Sequence, residues 1–244
     1  MDKIQEYIER RDKQVRENMT DGELANAMYR FTRQLVRTDY VRNFTWMGIP
    51  VLQYPQDMMV MQELTYKICP DFLIELGIGY GGMLAFYDAV MPIQAQKIGV
   101  DIAISAEIRE MGNTYFIEQS SINVLTLYQI EKILNDWITF YSASPRVMVC
   151  LDSLHTHEHV LKELEMYTPL VSVGSYAVVF DTAIEYYGHL DKNQDRPWGR
   201  GNNPATAVVE FLKTEMGKNF EVDREIEQRA LITSAPGGFL RRVK

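Results

Sequence analysis

The chain has 244 residues, which suits a single α/β domain with an extension better than two full domains. Hydrophobic residues make up 46% of it, and no stretch approaches the ~20 continuous apolar residues of a membrane span, so we expect no membrane partner. The 33 acidic and 25 basic residues give a net charge of −8, which argues against nucleic acid as the main partner.

Residues 1–45 are predicted to be helical. Apolar residues recur there at helical spacing in two runs: Ile4, Tyr7 and Ile8, then Met28, Phe31 and Leu35. Thr20 with Glu23 three residues later predicts a helix start through a capping box. We interpret 1–45 as an extension to a domain spanning 46–244. Because its apolar stripes exceed what such a domain needs, we expect a homo-oligomer in which the extension joins the interface or closes the active site.

Strands and helices are predicted to alternate from residue 71 onward, after a Pro-bounded loop and a helix near 56–68. Predicted strands lie near 72–76, 96–101, 114–118, 146–152 and 174–181, with final strands near 219–223, 229–234 and 238–242. Predicted helices lie near 82–90, 105–111, 121–141 and 156–166. This order predicts a Rossmann-like α/β fold, with a mostly parallel twisted sheet and helices on both faces.

A glycine-rich turn follows the first of these strands. The strand ends with Glu75, and a helix is predicted to begin after the turn glycines, which are Gly77, Gly79, Gly81 and Gly82. The next strand ends at Asp101, where an acidic residue commonly accepts hydrogen bonds from a ribose diol. We count Ser120, just after the third strand, and Asp152, at the end of the fourth, among the cofactor-binding residues as well. Together these features predict a nucleoside-containing cofactor.

The spacing of the glycines helps to choose between cofactors. Dinucleotide-binding turns have the pattern G-x-G-x-x-G, whereas this chain has G-x-G-x-G-G after Glu75. A carboxylate would repel a pyrophosphate but would attract a ligand that carries an ammonium or sulfonium group. The pattern therefore favours S-adenosylmethionine over NAD, with a plain strand–turn–helix that binds no ligand as the alternative.

Three of the four histidines fall within five residues, directly after a strand that ends at Asp152. His155 and His159 are four residues apart and would share one face of a helix, with His157 pointing elsewhere. Asp152 and His155 are close enough to face one pocket, either as metal ligands or with His155 as an acid–base group. The alternative is a helix start with polar caps.

Asp181 ends the following strand. If the strands near 146–152 and 174–181 are neighbours, Asp152 and Asp181 converge at the cofactor edge, where they could hold a hard divalent cation. Alternatively, Asp181 caps the next segment, as Thr182 equally could.

The chain resembles the cephalosporin hydroxylase/rhamnosyl O-methyltransferase family over roughly residues 45–244. The motifs that carry the resemblance are Asp-Ser-x-His-x-His-Glu-His from Asp152, Gly-Ser-Tyr-x-Val-Val-x-Asp-Thr from Gly174, Gly-x-Pro-x-Leu-Gln-x-Pro-x-Asp from Gly48, Pro-Trp-Gly from Pro197, and Pro-x-Gly-Phe-Leu-Arg-Arg from Pro236. The resemblance implies an O-methyltransferase that uses S-adenosylmethionine and Mg²⁺ and acts on a hydroxyl of a sugar or another natural product.

The chain is also similar to the macrolide-sugar methyltransferases, and this likeness implies particular roles. It makes Asp152 and Asp181 metal ligands and His155 the general base. Two positions depart from the pattern: Phe180 stands where the family usually has Glu, and Leu154 where it often has Asp. We expect a weakened metal site and a bulky Phe180 that could shape a more apolar acceptor pocket.

The aromatic and Gly/Pro-containing stretch 183–204 is predicted to cover a small-molecule acceptor. It contains Tyr186, Tyr187, His189 and Trp198. The alternative is an ordinary surface loop.

Two other classes of protein remain open. One is a protein that binds S-adenosylmethionine without transferring its methyl group, with the pocket put to pericyclic or partner-binding use. The other is an oxidoreductase that uses a dinucleotide, which Glu75 and the glycine spacing disfavour. Cys69 and Cys150 are interpreted as buried thiols rather than a disulfide framework, and the charged N-terminus does not resemble a secretory signal. We therefore expect a cytoplasmic protein.

Overall fold

A seven-stranded sheet and a short hairpin organise the protein in the computed structural model, which describes residues 2–192 and 194–244. The strands are β1 (Thr45–Trp46), β2 (Ile49–Pro50), β3 (Phe72–Leu76), β4 (Gln96–Asp101), β5 (Thr114–Glu118), β6 (Val147–Leu151), β7 (Tyr176–Val179), β8 (Phe220–Val222) and β9 (Phe239–Arg242). The helices are α1 (Lys3–Asn18), α2 (Gly22–Arg37), α3 (Pro55–Ile68), α4 (Gly82–Val90), α5 (Val124–Tyr141), α6 (His157–Tyr167), α7 (Ile184–Tyr187), α8 (Pro204–Phe211) and α9 (Arg224–Ala230).

The order of strands in the sheet fixes where a ligand can bind. It runs β5-β4-β3-β6-β7-β9-β8, and all neighbouring pairs from β5 to β7 are parallel, whereas β9 is antiparallel to both β7 and β8. The chain moves outward from β3 to β5 and then returns to β6 on the other side of β3. This reversal opens a crevice above the carboxyl ends of β3 and β6, where open α/β sheets bind ligands. The predicted Rossmann-like class is confirmed.

Both faces of the sheet are covered by helices. The first layer consists of α5, α6 and α8, which pack on strand residues such as Ile74, Val149 and Val179. The second consists of α3, α4 and α9, which pack on the alternate residues, including Leu73 and Met148. Because each of these strand side chains is almost fully removed from water, each contributes about 1.5–3 kcal/mol of hydrophobic stabilisation.

Two predicted elements near the sheet are wrong. The strand predicted at 229–234 is absent, because α9 occupies Arg224–Ala230 and Asp223 caps it by accepting from the backbone N–H of Ile226. The helix predicted at 105–111 is only a 3₁₀ turn, Ile108–Glu110, because the chain must turn at Gly112 and Asn113 to enter β5.

The N-terminal segment is helical, as predicted, but its two helices differ. Asp21, rather than Thr20, caps α2 through the N–H groups of Glu23 and Leu24. No residue of α1 is buried, whereas α2 buries Thr32 and Leu35 against the rest of the protein. Both helices pack on the rest of the fold, α1 against α9, but only α2 contributes buried residues.

The remaining sequence predictions concern thiols and membranes. Cys150 is buried, whereas Cys69 at the end of α3 is partly exposed, so the prediction of two buried thiols is only half right. Both thiols are free. Among the described residues, no helix combines the length and apolar character that a bilayer crossing requires.

Candidate active site

A cavity of about 360 Å³ opens at the carboxyl edge of β3, β6 and β7. Six of the residues predicted from the sequence line it: Glu75, Gly77, Gly79, Asp152, His155 and Asp181. The structure thus brings the predicted cofactor turn and the predicted metal-binding or acid–base cluster to one place.

Glycine is required at the positions of this turn for different structural reasons. A Cβ atom on Gly77, whose φ is +86°, would lie 2.3 Å from the carbonyl oxygen of Asp152. A Cβ on Gly82 would lie 2.1 Å from the carbonyl oxygen of Pro50, so Gly82 allows α4 to pack against the hairpin. Gly79 has open space around it and lines the cavity, whereas Gly81 and Gly82 lie outside the lining. Of the four glycines, Gly77 and Gly79 line the cavity, and ligand contacts of all four stay a prediction.

Asp101 and Ser120 also lie at this edge of the sheet but outside the cavity lining. Asp101 Oδ2 accepts hydrogen bonds from the backbone N–H groups of Ile78 (3.0 Å) and Gly79 (3.1 Å), so it braces the turn. The carbonyl oxygen of Ser120 accepts from the Thr126 hydroxyl at 2.8 Å, at the start of α5. Contacts of these two residues with a cofactor stay a prediction.

Glu75 is a buried carboxyl group that faces the cavity. It is 2% exposed, and its Oε2 has no hydrogen-bond partner among the described residues. Burial, and to a lesser extent the nearby Asp101 carboxylate, raise the pKa of Glu75 to about 8. An unpaired buried carboxyl group is costly unless a ligand satisfies it. Its chemistry fits a cationic group such as the ammonium of an amino-acid-bearing cofactor.

Asp152, His155 and Asp181 form a compact cluster on the opposite side of the turn. One potential ligand atom from each lies within 4.8 Å of the others, and His155 Nε2 is 3.1 Å from Asp181 Oδ2. The edge of the Trp198 ring system meets His155, with the ring centroids 5.0 Å apart. Burial, then the carboxylates of Asp181 and Glu75, raises the pKa of Asp152 well above its ordinary value. Two carboxylates and an imidazole could hold a divalent cation, and the His155–Asp181 pair could accept a proton.

The other two histidines of the motif do not face the cavity. His157 bonds to Thr206 Oγ1 (2.8 Å) and lies 3.1 Å from Glu210 Oε2, so it fastens α6 to α8. His159 Nε2 lies 2.9 Å from Ser121 Oγ and 3.3 Å from the buried carboxylate of Glu163. The prediction that His155 and His159 share a helix face is wrong, because α6 begins at His157 and leaves His155 in the preceding turn.

Phe180 lies away from the cavity. It is 1% exposed and packs in the apolar layer that also contains Tyr176 and Val178, the residues two and four positions before it. The expectation that Phe180 shapes an acceptor pocket is therefore wrong, because the alternation of β7 carries its side chain into the core. Leu154 is 41% exposed and is also outside the lining.

The segment 183–204 forms one wall of the cavity through α7 and the turns after it. Its lining residues are Ala183, Ile184, Tyr187, Gly188, Asp191, Arg196 and Trp198. Arg196 lies over the Trp198 ring at 5.3 Å. Glu185 anchors the segment by accepting from the backbone N–H of Gly201 (2.8 Å) and from Asn203 Nδ2 (2.6 Å).

Sequence reasoning missed a further set of lining residues. It includes Leu35 and Val36 of α2 together with Leu52, Tyr54 and Ser234. Gln53, behind the cavity, was missed too: its Nε2 donates to Asp152 Oδ2 at 3.0 Å. The sequence contained two signals: the expectation that the extension 1–45 joins an interface or closes the active site, and the Gly48–Asp57 motif. That motif contains Leu52, Gln53 and Tyr54 but does not indicate what they contact.

Comparisons with known proteins find one matching family. The sequence model of the Rhamnosyl O-methyltransferase/CmcI family matches residues 38–243. Rhamnosyl O-methyltransferase of Mycobacterium tuberculosis strain H37Rv is 30% identical over 204 residues, which cover 81% of this chain and 78% of that protein. The Mycobacterium leprae protein of the same name is 28% identical over 203 residues, covering 81% and 82%.

Solved structures extend the likeness to the fold. An apo structure of CmcI matches with a TM-score of 0.58 and 19% identity, covering 83% of this chain and 77% of that one. A CmcI structure named with magnesium and SAM matches with a TM-score of 0.55 and 18% identity, covering 83% of this chain and 78% of that one. At these identities the structures support the architecture of the sheet and its helices.

Proposed function

The chain belongs to the rhamnosyl O-methyltransferase/CmcI family and is therefore a methyltransferase, and we propose that it methylates a hydroxyl of a small natural-product or sugar-type acceptor. The observation that carries this proposal is the convergence of Glu75 and the Asp152–His155–Asp181 cluster on one cavity. One side of the cavity suits a cationic cofactor, and the other suits proton removal from an acceptor.

The cofactor side would bind S-adenosylmethionine, which supplies an electrophilic methyl group on a sulfonium. The unpaired Oε2 of Glu75 would satisfy the ammonium group of its methionine part, while Gly77 and Gly79 let the backbone approach the ligand. Asp101 holds the two amides of the turn and so keeps this surface in shape. The same residues suit the demethylated product, which retains the ammonium group.

His155 would act as the general base. Its Nε2 is 3.1 Å from Asp181 Oδ2, so the carboxylate orients the imidazole and would stabilise the imidazolium after proton uptake. The step requires the acceptor oxygen to lie near His155 and in line with the methyl group, because transfer is a direct displacement.

Asp152 and Asp181 would hold Mg²⁺, which lowers the pKa of a nearby hydroxyl when it is bound. The donor set fits a divalent cation, since it offers two carboxylates with His155 beside them, but two carboxylates are few for Mg²⁺ and waters would complete the shell. We therefore expect weaker cation binding than in a site with a third carboxylate.

The acceptor would lie against the wall formed by Tyr54, Tyr187 and Trp198. Aromatic surfaces beside a few convergent polar groups are typical of small-molecule sites, and they suit the apolar face of a sugar ring. The relatives are named rhamnosyl O-methyltransferases, which agrees with an acceptor of this kind.

The test is methyl transfer by the purified protein from labelled S-adenosylmethionine to a panel of hydroxylated glycosides and phenols, read by mass spectrometry. We expect a methylated product from the wild type and a loss of ~10²–10⁴ in rate for His155→Ala. Tyr128→Ala is the control, because Tyr128 is an exposed residue of α5 outside the lining.

A chelator arm separates the two ways of activating the acceptor. If chelator abolishes turnover while His155→Ala leaves it unchanged, the base assignment is wrong. If the cofactor binds and no acceptor is ever methylated, a cofactor-binding protein that does not transfer methyl becomes the better account.

A further inference from the structure

A chain of buried polar side chains lies behind the cavity and ends on Asp152. Gln53 is 2% exposed, and its Nε2 donates to Asp152 Oδ2 at 3.0 Å. Its other amide atom, Oε1, lies 3.2 Å from Ser234 Oγ, whose single hydroxyl proton is shared between Oε1 and Asp57 Oδ2. Both polar atoms of the Gln53 side chain thus have a hydrogen-bond partner.

The far end of this chain is Asp57 in α3, which is 0% exposed. Its Oδ2 accepts from the backbone N–H and from the hydroxyl of Ser234, both at 2.8 Å, and its Oδ1 accepts from the Thr233 hydroxyl. A buried carboxyl group with three donors is well fixed. It therefore holds the 233–234 segment, and through Ser234 the Gln53 amide, in place.

The chemistry of Gln53 suits an orienting role. An amide N–H holds one carboxylate oxygen of Asp152 without bringing a charge into the cavity. A lysine or arginine in its place would neutralise Asp152 and repel a cation. With Oδ2 held by Gln53, the orientation of the Asp152 carboxylate in the cluster with His155 and Asp181 is fixed.

We propose that Gln53 is a positioning residue that fixes Asp152 for a divalent cation, and that Asp57 and Ser234 fix Gln53 in turn. This inference rests on the proposed cation site. Partners that orient metal ligands typically change affinity 10- to 100-fold when they are removed.

The experiment uses Mn²⁺ as the probe, added to the full chain and followed by electron paramagnetic resonance of the free ion. Gln53→Met keeps the length of the side chain and removes both polar atoms, and we expect it to weaken Mn²⁺ binding about 10- to 100-fold. The control is Thr65→Val, which removes a buried hydroxyl from α3, the helix that carries Asp57; there the hydroxyl donates to the carbonyl of Gln62. It should leave Mn²⁺ affinity unchanged.

Circular dichroism shows whether each variant is folded. If Gln53→Met does not fold, Ser234→Ala is used instead, because that variant keeps Gln53 and removes only the bridge to Asp57. Ser234→Ala should also weaken Mn²⁺ binding, but by less than Gln53→Met. Wild-type affinity in Gln53→Met, or in Ser234→Ala where that variant stands in, overturns the positioning role and leaves the proposed function standing. A wild type that binds no Mn²⁺ removes the cation site itself and the inference with it.

Discussion

Replacing Glu75 by glutamine should remove a proton that is exchanged when the cofactor binds. Burial raises the pKa of Glu75 to about 8, so about nine-tenths of the side chains are protonated at pH 7 in the cofactor-free protein. A cationic cofactor favours the ionised form. Binding at pH 7 should therefore release up to about 0.9 proton from the wild type and close to none from Glu75→Gln.

The same pKa sets a pH dependence of stability. The folded-state pKa of about 8 lies above the ordinary 4.5. The contribution of Glu75 protonation to the free energy of unfolding is therefore fully present below about pH 4.5 and is lost as the pH rises through 8. The full loss corresponds to about 5 kcal/mol in the cofactor-free protein, at 1.36 kcal/mol for each pH unit. Glu75→Gln should lack this slope and be the more stable protein at pH 8.

Calorimetry of S-adenosylmethionine binding in phosphate and in Tris at pH 7 measures the released proton from the difference in apparent enthalpy. Urea unfolding at pH 5 and pH 8 measures the stability slope. Glu158→Gln, which changes an exposed glutamate, is the matched control and should behave like the wild type. Equal proton release by the wild type and Glu75→Gln would refute the reasoning.

Four further predictions concern the turn, the buried carboxyl group and the assembly. Gly77→Ala should lower the free energy of unfolding by at least about 1–3 kcal/mol, because φ is positive there and a Cβ would meet the Asp152 carbonyl. Gly79→Ala should lower it less, because no atom lies near that position, and thermal denaturation measures both changes. Asp101→Ala should weaken S-adenosylmethionine binding by about 1–3 kcal/mol by calorimetry, and an unchanged Kd would contradict its role. Burial raises the pKa of Asp57 from 3.8 to about 6, so wild-type stability should fall by about 3 kcal/mol as the pH rises through this window, a slope that urea unfolding should not find in Asp57→Asn. Light scattering should return a homo-oligomer, and a 28.3 kDa monomer at micromolar concentration would rule it out.

The central strands could be predicted from the sequence because their signals are local. β3, β4 and β5 have the predicted bounds, since each is a short apolar run bounded by glycine, proline or acidic residues. The C-terminal region misled the prediction, because Leu231 and Ile232 suggest a strand while the cap at Asp223 starts a helix just before them. Local apolar content was outweighed by capping and by the tertiary position of α9.

The candidate site was predictable where it depends on strand ends. Asp152, His155 and Asp181 follow neighbouring parallel strands, so their convergence follows from the topology. The contacts of Gln53 could not be predicted, because its partners Asp152 and Ser234 lie 99 and 181 residues away in the sequence. Pairs at such separations are set by how α3, the sheet and the C-terminal segment pack together.

The backbone at Asp181 has a consequence for how this site can change in evolution. Its φ of +57° lies in the left-handed region, which aspartate, asparagine and glycine tolerate far better than other residues. Substitutions at this position should therefore favour asparagine or glycine, each of which is a single-base change from an aspartate codon. The backbone disfavours the longer glutamate. One mutation can remove this negative charge while the fold is kept, but the aspartate cannot easily be replaced by the longer carboxylate side chain of glutamate. If Asp181 has the role proposed above, descendants that bind the cofactor without activating an acceptor are a single substitution away.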